Sequence, residues 1–256
     1  MGSTAIISDV HSNLHALYAV LAHAHSRGIG RIICLGDVIG YGAHPEECVD
    51  IARTFAVCLR GNHEEGVLRN PSQFNAEAKT AALWTRRRLK AGPLSAHGSK
   101  DRWHFLRGLA KSHEEEDTLY VHGTPRNPVW EYLFENDCAD LLGDISDKLA
   151  ENFSLVKGLC FVGHTHIPGV IGGDGRFSAP AAAQGIFEFQ PGARAIINVG
   201  SVGQPRDGNP QACYVIRNGC KVTFHRVDYD AQAAANDILA TGRLAPTLGE
   251  RLLNGA

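Results

Sequence analysis

The chain has 256 residues, of which 44% are hydrophobic and 20% charged, and its formal net charge is −2 at pH 7. That length lets a chain bury an ample core without covalent staples, and the composition excludes disordered and fibrous classes. The near-neutral balance gives no bulk sign of a nucleic-acid surface, and no apolar run approaches the ~20 residues of a membrane span.

Short runs rich in Ile, Val, Leu and Phe at Thr4–Ser8, Arg31–Leu35 and Phe55–Leu59 read as strands, and the segments between them have helical spacing. Asn13 is placed to cap the first helix, whose apolar stripe would be Leu14, Leu17, Tyr18 and Leu21, with "SRGIG" as its stop. The second helix starts with Pro45 in its first turn. This alternation predicts two right-handed crossovers in a parallel sheet. Residues 71–113 read as mainly helical with a break at "AGPLSAHGS", and the basic run "TRRRLK" (85–90) as a solvated helix face. A strand is expected at "TLYVHG" and a helix over Asp137–Leu149, with Cys138, Leu141, Leu142, Ile145 and Leu149 on one side.

After "GLCFVGHTHIP" the texture changes. Glycine-rich turns separate short runs at Gly185–Phe189, Ala195–Val199, Ala212–Arg217 and Lys221–Val227, which suggests a more antiparallel second sheet. A helical segment from Asp230 onward, frayed at its end, completes the chain. No linker divides the sequence, so residues 1–256 are expected to form a single domain. Seven cysteines without a C-x-x-C pair read as reduced thiols, and the N-terminus enters "TAIISDVHSN" without a signal segment; both point to the cytoplasm.

The polar residues carry the functional signal. Each apolar run ends in residue types that bind metal: Asp9 and His11, Asp37, Asn62 and His63, His122, and His164 and His166. In a parallel α/β sheet such strand ends share one edge, where ligands bind. Singly, each has an ordinary explanation: Asp9 as a cap or turn residue, His122 as a hydrogen-bonded surface histidine. Five strand ends in order are another matter. Two carboxylates, an amide oxygen and up to five imidazoles, with no thiolate, suit Mn, Fe or Zn. They are too many for one ion and enough for two sharing a carboxylate, about 3.5–4 Å apart.

The ordered set D-x-H, G-D, G-N-H-E, H-G and G-H-T-H, followed by "NVGSVGQPRDG", resembles the calcineurin-like metallophosphoesterases in their branch of small prokaryotic members. The resemblance implies a four-layer α/β/β/α sandwich of two mixed β-sheets flanked by helices. It implies two transition-metal ions, one on Asp9, His11 and His166, the other on Asn62, His122 and His164, with Asp37 bridging them. The implied reaction is hydrolysis of phosphate mono- or diesters by a metal-bridging hydroxide, with His63 protonating the leaving oxygen. Protein Ser/Thr phosphatase and dinucleoside polyphosphate hydrolase are alternatives within that chemistry, and a non-catalytic metal-binding scaffold stands outside it. The usual D-x-H-G-N reads "DVHSN" here, so Ser12 must take an ordinary conformation or carry strain. Arg126 and Arg206 are candidates to bind phosphate oxygens. Tyr41 and His44 are expected at the pocket mouth, and Glu64 as a partner of His63 or of a ligand, or else as an exposed charge.

Overall fold

The computed structural model describes residues 2–90, 98–140 and 143–256. Strand β1 (Thr4–Ile7) is buried at every position, as a strand covered on both faces must be, and β2 (Arg31–Cys34) and β3 (Val57–Cys58) follow parallel to it. Between them run α1 (Leu14–Ser26) and α2 (Pro45–Ala52). Asn13 caps α1 by accepting from the Ala16 N–H at 3.1 Å. The stripe that α1 buries is Ala16, Leu17, Val20 and Ala24, whereas Tyr18 is 57% exposed. At 3.6 residues per turn, position 18 falls on the side of α1 away from that stripe.

The helix α3 (Asn62–Leu68) follows β3 directly, and α4 (Ala76–Leu89) and α5 (Ser99–Gly108) account for most of the expected helical stretch. Residues 91–97 of its break lie outside the described residues. The basic run is less solvated than its composition suggests: Arg86 donates to the carbonyls of Gly66, Val67 and Arg69, satisfying acceptors that α3 leaves free at its C-terminus. A hairpin of β4 (Ser112–Glu115) and β5 (Thr118–Val121) comes next.

The helix expected over Asp137–Leu149 does not form as such. A 3₁₀ turn spans Glu135–Asp137, Ala139 bridges to Ile145, and Gly143 takes φ +88°. Helix α6 (Asp147–Ser154) begins only where Ser146 Oγ accepts from the Leu149 N–H. Local turn and cap chemistry overrides the apolar spacing; Ile145 is exposed, and Leu141 and Leu142 lie outside the described residues.

The remaining strands are β6 (Leu159–Val162), β7 (Gly169–Gly172), β8 (Phe177–Ser178), β9 (Ile186–Glu188), β10 (Ala195–Asn198), β11 (Ala212–Asn218) and β12 (Lys221–Val227). They do not form a sheet of their own. β11, β12 and β9 extend the first sheet beyond β1, each antiparallel to the strand before it, in the order β3-β2-β1-β11-β12-β9. The second sheet runs β4-β5-β6-β10-β7-β8, with β5, β6 and β10 parallel. Both sheets are therefore mixed.

Period-two alternation sorts the side chains into layers. Ile6, Ile33 and Leu35 of the first sheet meet Tyr120, Phe161 and Ile197 of the second between the sheets. Ala5 and Ile7 turn outward against Leu17 and Val20 of α1, while Cys160, Val162 and Ile196 turn outward against Leu149 and Phe153 of α6. The result is the α/β/β/α sandwich. The C-terminal segment is two helices, α7 (Ala231–Ala240) and α8 (Pro246–Asn254), broken near Gly242 and Pro246. Its end is not frayed: Leu252 is buried and the Gly255 carbonyl accepts from the Gly208 N–H at 2.9 Å. Among the described residues no helix is long and apolar enough to cross a membrane.

Candidate metal centre

The loops leaving β1, β2 and β3 carry Asp9 and His11, Asp37, and Asn62 with His63. Those leaving β5 and β6 carry His122, and His164 with His166. The five strand ends thus belong to two sheets, not to one parallel sheet, and the side chains converge where the carboxyl ends of both meet.

Holding them there requires unusual backbone. Asp9, His11, Ser12, Asp37, Tyr41, His164 and His166 all have φ between +50° and +67°. Left-handed conformations of this kind cost non-glycine residues about 1–3 kcal/mol each and persist only where the surroundings enforce them. Here the N–H groups of Asp9, His11 and Ser12 donate to the carbonyls of Gly36, Asp37 and Val38 at 2.9–3.0 Å, locking the first two loops together. Ser12, at the position noted as a departure, is strained rather than ordinary, and its buried hydroxyl has no partner.

Two donor clusters result. In the first, His166 Nε2 lies 3.2 Å from Asp9 Oδ1 and 3.1 Å from His11 Nε2, which is 3.8 Å from Asp37 Oδ2. In the second, His122 Nε2 lies 3.4 Å from the same Asp37 Oδ2, 3.0 Å from Asn62 Oδ1 and 3.1 Å from His164 Nδ1. Four ligands each about 2.1 Å from one cation stand roughly 3.0–3.5 Å apart, which is the spacing of these atoms except for the His11–Asp37 pair at 3.8 Å.

The outer nitrogens fix the tautomers. His11 Nδ1 donates to the Ile39 carbonyl at 3.3 Å, His166 Nδ1 to Gln204 at 2.5 Å, and His164 Nε2 to Trp130 at 3.3 Å. Their inner nitrogens therefore present lone pairs. Two lone pairs facing each other across 3.1 Å, as in His11 and His166, make no hydrogen bond and need a cation between them. Asp9 repeats the pattern: Oδ2 accepts from the His164 N–H at 3.0 Å, while the buried Oδ1 has no hydrogen-bond partner. An N/O donor set with orphaned inner atoms fits metal ions and could hold one in each cluster.

Burial opposes ionisation of Asp9 and Asp37, but the surrounding imidazoles outweigh it and hold both carboxyls well below the usual range. Burial pushes His164 down to about 3 and His63 to about 4, whereas Asp37 and Asp9 overcome it at His122 and raise that group to about 9. Glu64 is fully buried, so it is no exposed charge. It accepts from the N–H groups of Asp37, Ile39 and Gly61 and so shapes the loop of the shared carboxylate; burial and Asp37 push it up to about 7.

Of the other candidates, His63 lies among the ligands, its ring centre 4.7 Å from that of His11 and its Nδ1 buried without a partner. Tyr41 packs on both rings, at 4.7 and 4.5 Å. Arg206 places its guanidinium 5.9 Å from the Tyr41 ring centre and bonds Gln204 Oε1 at 2.7 Å. Arg126 does not fit its expected role: Glu131 grips the guanidinium from both oxygens and Glu151 takes another nitrogen, so its donors are spent on carboxylates. His44 lines a small cavity with His11 and Tyr41, its Nε2 2.7 Å from Asp237 Oδ2.

Several residues had no motif to announce them. Tyr132 stacks on His164 with ring centres 3.7 Å apart and planes at 12°, and Phe74 packs on His63 at 4.7 Å. Ser201 Oγ donates to the Asp9 carbonyl, and Asn198 Nδ2 bonds both the Gly163 carbonyl and Thr165 Oγ1, bracing the G-H-T-H loop. The "NVGSVGQP" stretch was the available signal for the last two.

Glycine is required at Gly61, where a Cβ would overlap Asp37 Oδ1. Gly61→Ala is expected to lower stability by about 1–3 kcal/mol through overpacking and to weaken metal retention; urea unfolding and elemental analysis of the same sample check both.

Two mixed sheets face to face, with carboxylates and imidazoles gathered where their strand ends meet, define an α/β/β/α protein able to hold metal ions. A model of the calcineurin-like phosphoesterase superfamily domain matches residues 3–219, and the chain belongs to that superfamily. It is 39% identical over 261 residues to the uncharacterized protein MJ0912 of Methanocaldococcus jannaschii, covering 98% of this chain and 97% of that one. A metallophosphoesterase from Sphaerobacter thermophilus superposes with TM-score 0.80 at 35% identity over the whole of both chains. Protein PH1004 of Pyrococcus horikoshii OT3 shares the fold with TM-score 0.74 at 17% identity, covering 100% of this chain and 99% of that one.

Proposed function

We propose that this chain hydrolyses phosphate mono- or diesters with two transition-metal ions of the Mn, Fe or Zn kind, one held by Asp9, His11 and His166, the other by Asn62, His122 and His164, with Asp37 shared. The observation that carries this reading is the 3.1 Å separation of His11 Nε2 and His166 Nε2 while both Nδ1 atoms are spent on carbonyls. Ions so held would supply an acidified water and neutralise charge on the phosphoryl oxygens. The protein's own groups do the rest. Arg206 offers charged donors to a phosphate oxygen from beside Tyr41, which fixes the guanidinium by its ring face. His63 is seated to hand a proton to the leaving oxygen, and the arrival of a phosphate dianion favours the protonated ring. Tyr132 and Phe74 cover His164 and His63 and keep bulk water from those faces. The cytoplasm suits seven cysteines that are all free, Cys34 and Cys58 among them although they pair directly across β2 and β3.

The test is turnover of p-nitrophenyl phosphate and its bis ester by protein reconstituted with Mn²⁺, before and after chelation. Turnover that chelation abolishes and Mn²⁺ restores is expected. If no phosphate ester is cleaved while both clusters are shown by elemental analysis to be filled, the scaffold alternative replaces the enzyme.

A further inference from the structure

A second gathering of metal-binding side chains lies outside the candidate centre. His15, in the first turn of α1, points Nε2 at Asp237 Oδ2 of α7 at 2.8 Å, and His44, immediately before α2, points Nε2 at the same oxygen at 2.7 Å. The three ligand atoms come from three separate elements and all lie within 4.8 Å of one another, as do those of Asp9, His11 and His166 in the candidate centre.

We infer that His15, His44 and Asp237 form a third metal site, for a borderline divalent ion such as Zn²⁺ or Co²⁺. Two imidazoles and one carboxylate supply three protein ligands and leave positions open for water. Side-chain exposures of 34%, 29% and 38% let water reach those positions. The nitrogen-rich set disfavours Mg²⁺ and Ca²⁺, which take oxygen ligands.

The local charge supports a cation. Asp237 pairs only with the two imidazoles, and Glu47 Oε1 stands 3.9 Å from His44 Nδ1; among the described residues no lysine or arginine pairs with either acid. The contrast is His113, whose partner Glu115 is also neutralised by Arg31. The carboxylate of Asp237 has no lysine or arginine partner among the described residues, and a divalent ion would balance it. Such an ion would tie α7 to α1 and to the loop that leads from Tyr41 to α2, since the His44 N–H also donates to the Ser12 carbonyl at 3.1 Å. It would thus clamp the C-terminal helices onto the loops that carry His11 and Tyr41.

Two imidazole N–H groups on one carboxylate oxygen produce similar distances without an ion, so ion counting is the decisive measurement. The full-length metal-free chain is dialysed against Zn²⁺ and its bound metal determined by elemental analysis. Three ions per chain are expected for the wild type and two for His44→Ala and for Asp237→Asn, each shown to be folded by circular dichroism. In Asp37→Asn/His122→Ala/His166→Ala, which leaves each proposed catalytic cluster at most two of its ligands, Zn²⁺ should still raise the melting temperature, and adding His15→Ala should remove that rise. Equal ion counts in the wild type and in both single variants, or a Zn²⁺ response of the triple variant that survives His15→Ala, would overturn the assignment. Neither readout depends on turnover, so a failure here is separate from a failure of the phosphoesterase reading.

Discussion

Asp37→Asn is expected to lower phosphoester turnover by about 10³-fold or more and to reduce bound catalytic metal from two ions to at most one. The reason is that Asp37 uses its two oxygens for different tasks. Oδ1 accepts from the His63 N–H at 2.8 Å, which orients the turn carrying Asn62, while Oδ2 faces both donor clusters. An asparagine has one oxygen and one amide group. If its oxygen meets the His63 N–H, its amide hydrogens point at the cations; if it turns, two N–H groups confront each other. Either arrangement sacrifices one function in a site where charge stabilisation by metal is worth several kcal/mol, and about 4 kcal/mol corresponds to 10³-fold. Steady-state kinetics with elemental analysis of the same preparation checks both halves. Two ions retained, with a rate within tenfold of wild type, would remove Asp37 from the shared position.

His63→Ala should separate chemistry from metal binding. Loss of a general acid typically costs about 10²–10⁴-fold, and the loss depends on the leaving group. An alkyl phosphate, whose alkoxide needs the proton, should suffer the full loss, while p-nitrophenyl phosphate, whose phenolate departs without one, should suffer much less. Metal content should not change, because no donor atom of His63 is needed to complete either cluster. The ring has the placement this role needs: it is buried with an unpartnered Nδ1, packed between Tyr41 and Phe74, in space that exists only because residue 40 is glycine, where a Cβ would overlap the imidazole. A variant that loses metal along with activity, and loses equally on both esters, would instead make His63 a brace for Asn62.

The donors of the centre were legible because metal binding tolerates few residue types and strand ends are easy to find. Asp9, His11, Asp37, Asn62, His122, His164 and His166 each follow a short apolar run, and all of them converge. The division of strands between the sheets was not legible. β11 sits beside β1 because Thr4 pairs with Arg217, a choice made by packing across the whole sandwich and not by local pattern. Arg126 illustrates a further limit: "HGTPR" says nothing of Glu131 and Glu151, which consume its donors. No sequence pattern joined His15 to His44, which was expected only at the pocket mouth, because the carboxylate that unites them lies 222 and 193 positions away. Tyr132 had no periodicity or motif to distinguish it from any other aromatic in a loop.

Each donor cluster of the candidate centre draws on both sheets: Asp9 and His11 of the first with His166 of the second, Asn62 of the first with His122 and His164 of the second. As the chain leaves the ribosome, its opening sixty-odd residues already display carboxylates and imidazoles, yet one cage cannot close until residue 164 has emerged and the other until residue 166. The first sheet waits longer still, for β11 and β12 to flank β1. Any cation the clusters hold is therefore selected by the finished fold rather than by the emerging chain.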